Sequence, residues 1–293
     1  MNAMKRGMKM KAMRLAIPLF VALAYGPAQG LAVPILGADV ASYAVLGASD
    51  VTCVPTCVIG GNVGSDPTAP TSPAGNFSFS FGTFQPGNQG TAQTDLTAAI
   101  LAVNAGSGTP IPAGNLDAFQ TLLGGAIPPG TYDVPAATIA NLVGTLVLDG
   151  GGSNTAVWKF RFSSTLVAAE GSDVTVTNVG DGAGVGLYWT VASAATLDGD
   201  TFAGNVLANA AITSNGGLTI ACGRLASADA NVTLIMDSIS IGCGTAGTTG
   251  FGSGGFDQAG AGGTVVPEPA TLLLFGFGLA GLFASRKRLF PVA

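Results

Sequence analysis

Thr201-Phe202-Ala203-Gly204-Asn205-Val206-Leu207-Ala208 returns 18 residues later as Thr219-Ile220-Ala221-Cys222-Gly223-Arg224-Leu225-Ala226. No gap interrupts either block. A third, weaker copy, Ser238-Ile239-Ser240-Ile241-Gly242, follows after a further 19 residues. In each copy an apolar side chain (Phe202, Ile220, Ile239) alternates with small ones, the period-two pattern of a strand with one buried face. A strand recurring at this interval, between Gly, Asn and Asp, predicts stacked rungs that bury their apolar faces on one another, a β-solenoid. Phe202, Ile220 and Ile239 are then expected one above another in the core.

Composition agrees with such a coil. Gly makes up 45 of 293 residues, charged residues 9 % and hydrophobic residues 48 %. That is too apolar for a disordered chain and too glycine-rich for a helical one, whereas corners use residues that tolerate positive φ. Charge is segregated. Lys5, Arg6, Lys9, Lys11 and Arg14 lie near the start and Arg286, Lys287 and Arg288 near the end, which leaves Lys159, Arg161 and Arg224 against fifteen of the sixteen carboxylates, all but Glu268. So few cations cannot neutralise a phosphate backbone, which excludes nucleic acid as a partner.

There is no histidine, so Ser–His and Cys–His nucleophile pairs and the commonest metal ligand are missing. Asp198-Gly199-Asp200 has paired carboxylates, but the sequence is also that of an ordinary turn, and we read it as one. Asp149-Gly150-Gly151-Gly152 lacks the Lys-Ser/Thr of a phosphate loop and reads as a corner. Trp158 and Trp189 have the rings to stack on sugars, yet each sits in an alternating strand and is expected in the core. No enzyme, cofactor or metal site is predicted. The cysteines form two near pairs. Cys53-Val-Pro-Thr-Cys57 closes a tight loop, and Cys222 and Cys243 stand about one turn of the coil apart, so two disulfides are expected behind a secretory signal.

That signal occupies residues 1–32: basic residues, an apolar run from Leu15 to Tyr25, then small residues. The main domain is placed at 33–245. Within it, Leu96, Ile100 and Val103 mark one face of a helix over 91–104 packed along the coil, and Asn115 caps a second, short helix that ends at Gly124-Gly125. A Gly-rich tract, 246–265, reads as a flexible linker. The final segment, 266–293, holds Pro267-Glu268-Pro269, an apolar run and the basic Arg286-Lys287-Arg288.

Several motifs occur in a telling order: Pro129-Gly130-Thr131-Tyr132, Gly144-x-Leu146-x-Leu148-Asp149, Ala156-x-Trp158-x-Phe160, Ser164-Thr165-Leu166, Gly171-Ser172, Ala195-Thr196-Leu197 and the Thr201–Ala208 block. Together they resemble the bacterial and fungal ice-binding protein family from about Ile35 to Cys243. Cys222 departs from the small polar residue common there, and Phe77 to Phe84 has no counterpart. The resemblance implies a mainly β chain, a right-handed discontinuous β-solenoid with one long helix alongside. The C-terminal tripeptide, apolar run and basic cluster resemble the PEP-CTERM sorting signal of Gram-negative bacteria. That implies export through the inner membrane, transient insertion there, processing by an exosortase-type enzyme, and delivery to the cell surface or the medium.

Two functions fit. One is adsorption to ice by a secreted or surface protein; the other is a structural or adhesive role in the envelope, with exopolysaccharide as partner. For the first, stacked strands repeat at ~4.8 Å and same-face residues along a strand at ~6.8 Å, both close to oxygen repeats in ice. Two outward rows have the short hydroxyl and methyl side chains such a face needs. Thr165, Thr196, Thr213 and Thr233 form one, each beside a buried Leu, Ile or Val. The other is Thr201, Ala203 and Asn205 above Thr219 and Ala221, then Ser238 and Ser240. The first is preferred, because Cys222 and Arg224 interrupt the second.

Overall fold

The computed structural model describes residues 34–87, 89–137, 140–243 and 255–258, all within the unit Leu31–Ala293. The expected signal peptide and sorting segment lie outside the described residues. The described part is mainly β, with parallel strands in one sheet of fourteen and another of five. Successive rungs each lay down three short strands. Gly186–Val191 and Ala195–Leu197 are two sides of one rung, and Thr201–Ala208 turns its third side into the next rung.

That turn happens inside the strand. Thr201 and Phe202 pair with Thr219 and Ile220, the register then slips, and Gly204 to Ala208 pair with Gly223 to Ser227. Gly204 has φ +91, and a Cβ there would lie 2.4 Å from Leu187 Cγ. A Cβ on Gly223, at φ +158, would meet the Gly204 carbonyl oxygen at 2.0 Å. Only glycine lets two adjacent rungs bend at one level and stay in contact.

Two inward columns hold the stack. Phe202, Ile220, Ile239 and Ile59 follow one another across four rungs, and all are buried. Tyr132, Phe160, Trp189, Val206, Leu225, Val45 and Val63 make the second. Aromatic rings connect the two, with centroids 5.2 Å apart for Tyr132–Phe160, 4.4 Å for Phe160–Trp189 and 5.0 Å for Trp189–Phe202. Each buried indole N–H finds a carbonyl, Trp158 at Ile127 (3.0 Å) and Trp189 at Ala203 (2.8 Å). Both tryptophans are core residues, as their alternating strands predict.

Rung order does not follow chain order. The rung nearest the N terminus, 43–60, seats on the rung nearest the C terminus, with Val45 on Leu225, Thr52 on Thr233 and Ile59 on Ile239. Phe77–Phe81 and Phe84–Gln85, unplaced by the sequence, continue the stack beyond it by pairing with Cys57–Gly60 and Asn62–Ser65. Disulfides Cys53–Cys57 and Cys222–Cys243 are both present. The first closes a corner and the second ties the strand Thr219–Ser227 to the chain beyond the next rung.

A 14-residue helix, Gly90–Val103, covers one side. Its buried residues Ala92, Leu96, Ala99, Ile100 and Val103 pack with Tyr43, Leu46, Tyr188, Leu207 and Ala226. Arg161 receives its C-terminal end. Nη1 donates to the carbonyls of Asn104, Ala105 and Gly106 while Nε donates to Asp133 at 2.7 Å. A cation at that end suits the helix dipole. The short helix Leu116–Leu122 begins as expected, with Asn115 Oδ1 accepting from the Ala118 N–H at 2.7 Å.

Because Phe202 belongs to both the repeat column and the ring stack, Phe202→Ala should cost about 3–5 kcal/mol through the cavity it leaves. Equilibrium urea unfolding checks this; a change near zero would remove Phe202 from the core.

Candidate functional site

With one side under the helix, the five-stranded sheet presents the most regular outward surface. Its order is Leu166–Ala168, Ala195–Leu197, Ile212–Ser214, Val232–Ile235, Val51–Val54. Each strand buries the residues on either side of one outward position. Register aligns these positions as Val167, Thr196, Thr213, Thr233 and Thr52. All five are half-buried, so the row is flat-lying and crowded by its neighbours.

This changes the first expected row at both ends. Thr165 is not in it: Leu166 pairs with Ala195 and Val167 with Thr196, so Thr165 precedes the strand and Val167 takes its place. The sequence reading counted from the wrong side of Leu166, and the side chain next to a buried residue can lie on either side of it. Thr52 was missed because it comes from the other end of the chain. Only the seating of the first rung on the last brings it into line.

Beside the row, no Lys or Arg stands among the strand residues. Asn231 Nδ2 donates to Thr233 Oγ1 at 2.9 Å and orients that hydroxyl. Asp50, at the far edge, is engaged by Thr71, whose N–H and hydroxyl both donate to it at 2.6 Å. Its charge is thereby tied to a loop.

The second expected row is broken in the structure. Thr201, Thr219 and Ser238 do align, but the same line continues through Asp173 and Thr145 on one side and Val58 and Ser78 on the other. The Thr201 hydroxyl donates to Asp173, so a carboxylate stands in the line beside the first of its expected residues. Ala221 and Ser240 stay half-buried at the surface. Ala203 and Asn205 do not belong to this face at all. Ala203 joins the core, and Asn205 is fully buried. The slip at Gly204 resets the alternation, and a one-residue irregularity sends every later side chain elsewhere.

Asn205 instead lies under a covered side of the stack. Its Nδ2 donates to the carbonyls of Leu187 and Phe256, both at 2.9 Å, and its Oδ1 accepts from Arg224. Arg224, read as an interruption of an exposed row, is likewise buried and pairs with Asp257. Burial pulls its ionisation below the usual guanidinium range, and Asp257 and Tyr188 pull it back. The Tyr188 hydroxyl is raised, first by burial and then by Asp257.

The sequence model described as "Ice-binding-like" matches residues 45–240, and that of the PEP-CTERM protein-sorting motif matches 265–288. The chain belongs to the ice-binding-like family. An ice-binding protein of Nostoc sp. (strain HG1) is 37 % identical over 178 residues, 59 % of this chain and 60 % of the relative. The chain thus spans less than two thirds of that protein's length. Ice-binding protein K1-A of Typhula ishikariensis is 30 % identical over 192 residues, which cover 58 % of this chain and 75 % of that protein. Among solved structures, the ice-binding protein of the Antarctic ascomycete Antarctomyces psychrotrophicus aligns with a TM-score of 0.58 at 28 % identity. That alignment covers 70 % of this chain and 97 % of the other. The ice-binding-like match ends at 240, before the residues that cover Arg224 and Asn205. The sorting motif lies outside the described residues.

Since Asn205 serves buried partners, Asn205→Ala should destabilise the domain by about 1–3 kcal/mol for each group left unsatisfied. Thermal unfolding by calorimetry tests the direction. An unchanged midpoint would return Asn205 to the surface.

Proposed function

We propose that the protein is a secreted or cell-surface ice-binding protein that acts by adsorption, without chemistry, through the face of the five-stranded sheet. The fold behind this reading is a right-handed discontinuous β-solenoid with the 90–103 helix alongside. One observation carries the assignment. Val167, Thr196, Thr213, Thr233 and Thr52 stand in register on consecutive parallel strands. Strands ~4.8 Å apart repeat the row at a spacing near that of oxygens in ice, and short methyl and hydroxyl groups can hold water in a matching array. The other exposed row is a weaker candidate, because a carboxylate sits within it and captures the Thr201 hydroxyl.

Delivery is part of the proposal. Export takes the chain through the inner membrane of a Gram-negative cell, and the apolar run near the C terminus rests there transiently. An exosortase-type enzyme then acts at Pro267-Glu268-Pro269, which the matched motif includes.

Thr213→Tyr should abolish ice shaping and thermal hysteresis while leaving the unfolding midpoint unchanged, since it adds bulk to a flat surface without entering the core. Thr219→Tyr should keep both activities. The reverse pattern would move the site to the other face. Smooth, round crystals in the unaltered protein at high concentration would leave the structural or adhesive reading, with exopolysaccharide as partner.

Replacing Glu268 with Ala should hold the full-length precursor in the inner-membrane fraction, followed by immunoblot. Undiminished release into the medium would mean that the tripeptide does not direct processing.

A further inference from the structure

Residues 255–258 lie in the tract that reads as a plain Gly-rich linker, but they are docked. Phe256 is fully buried, and its carbonyl accepts from the Leu187 N–H at 3.0 Å and from Asn205 Nδ2 at 2.9 Å. Asp257 is 3 % exposed, forms an antiparallel bridge with Gly186, and reaches Arg224 Nη2 at 3.4 Å. The Gln258 N–H donates to the Val185 carbonyl at 3.0 Å, and its Oε1 accepts from the Tyr188 hydroxyl at 3.1 Å. At the other end, the Gly255 N–H meets Cys243 Sγ at 3.2 Å.

The receiving surface is built for these residues. A Cβ on Gly186 would lie 2.8 Å from Gln258 Cγ, so the absence of a side chain there makes the room. Arg224 is placed by the Tyr43 carbonyl at Nε (3.2 Å), the Ala41 carbonyl at Nη2 (2.9 Å) and Asn205 at Nη1. Those neutral groups fix a buried cation's position while Asp257 supplies negative charge. A buried guanidinium needs such a partner, because desolvation otherwise outweighs its hydrogen bonds.

We infer that Tyr188, Asn205 and Arg224 form a peptide-binding site for the chain's own Phe256-Asp257-Gln258, and that this docking fixes where the sorting segment leaves the domain. Its ligand class is an extended segment with an aromatic, an acidic and an amide side chain in succession. Eight residues separate Gln258 from Pro267. Fully extended they reach ~30 Å. Without docking the leash would start at Cys243, and the 23 residues 244–266 would reach ~80 Å. The docked peptide therefore shortens the leash and limits how far from Gln258 the tripeptide can lie. This does not depend on ice binding.

The test uses the full chain. Chymotrypsin should leave the Phe256–Asp257 bond intact in the folded native protein and cut it at least tenfold faster in Asp257→Asn, read by mass spectrometry. Phe256→Leu, which keeps the ion pair and removes only the ring, should lower the unfolding midpoint by several degrees. In the double variant Arg224→Met with Asp257→Leu, protection should recover relative to Asp257→Leu alone. Spin labels at Thr131→Cys, beside Gln258, and Val266→Cys should give distances within the short leash, with a long tail appearing on Asp257→Asn. Equal cleavage of native protein and Asp257→Asn, or a distance distribution indifferent to that substitution, would overturn the inference. So would Arg224→Met, Asp257→Leu matching the single Asp257→Leu.

Discussion

Parallel rungs in register set the terms for everything else in this chain. Each inward side chain must rest on the one below, so a column has to be apolar over its whole length. Tyr132, Phe160, Trp189, Val206, Leu225, Val45 and Val63 meet that demand over seven strands. Hydrophobic burial supplies the drive, and the face-to-face rings of Phe160 and Trp189 add a preference for one alignment. Register in turn is what lines up outward residues. A slip of one residue in any rung would break the core column and the surface row together.

The same geometry divides the surface by chemistry. The helix Gly90–Val103 covers a side whose outward residues are large, such as Tyr188 and Leu207. The aligned outward positions of the five-stranded sheet, Val167, Thr196, Thr213, Thr233 and Thr52, carry short side chains. These positions are only half-accessible, because neighbouring rungs stand ~4.8 Å away on each side. Such a surface has little conformational entropy to lose when ordered water or a crystal meets it.

Charge is handled differently in the interior. Arg224 is buried with Asp257 close by and carbonyls around it, a costly arrangement if any member is removed. It ties together three distant stretches of chain: the segment before Tyr43, the repeat and the tract after Cys243. Arg161 plays a related part at the edge, where it joins Asp133 to the end of the helix. Two of the three cations between the chain's basic ends thus fasten distant segments of the chain to one another.

Much of this was legible in the residues. The 18-residue recurrence showed the stacked strands, and the alternation of Phe202, Ile220 and Ile239 placed them inward because a strand's side chains alternate by geometry alone. Cysteine spacing gave the two disulfides, and the Leu96 stripe gave the helix. Those features depend on neighbours along the chain. What stayed hidden depends on which distant segments meet. Thr52 completes the threonine row, and Thr165 leaves it, through the seating of rung 43–60 on rung 223–240 and the register of Leu166 on Ala195. Asn205 and Arg224 left the expected row because a glycine bulge reset the phase in the middle of the most regular stretch and put them on a side that other segments cover. Local pattern determined that the chain would stack; long-range contact alone decided what each outward position faces, since a backbone that tolerates a bulge at glycine carries no local record of where the next side chain will point.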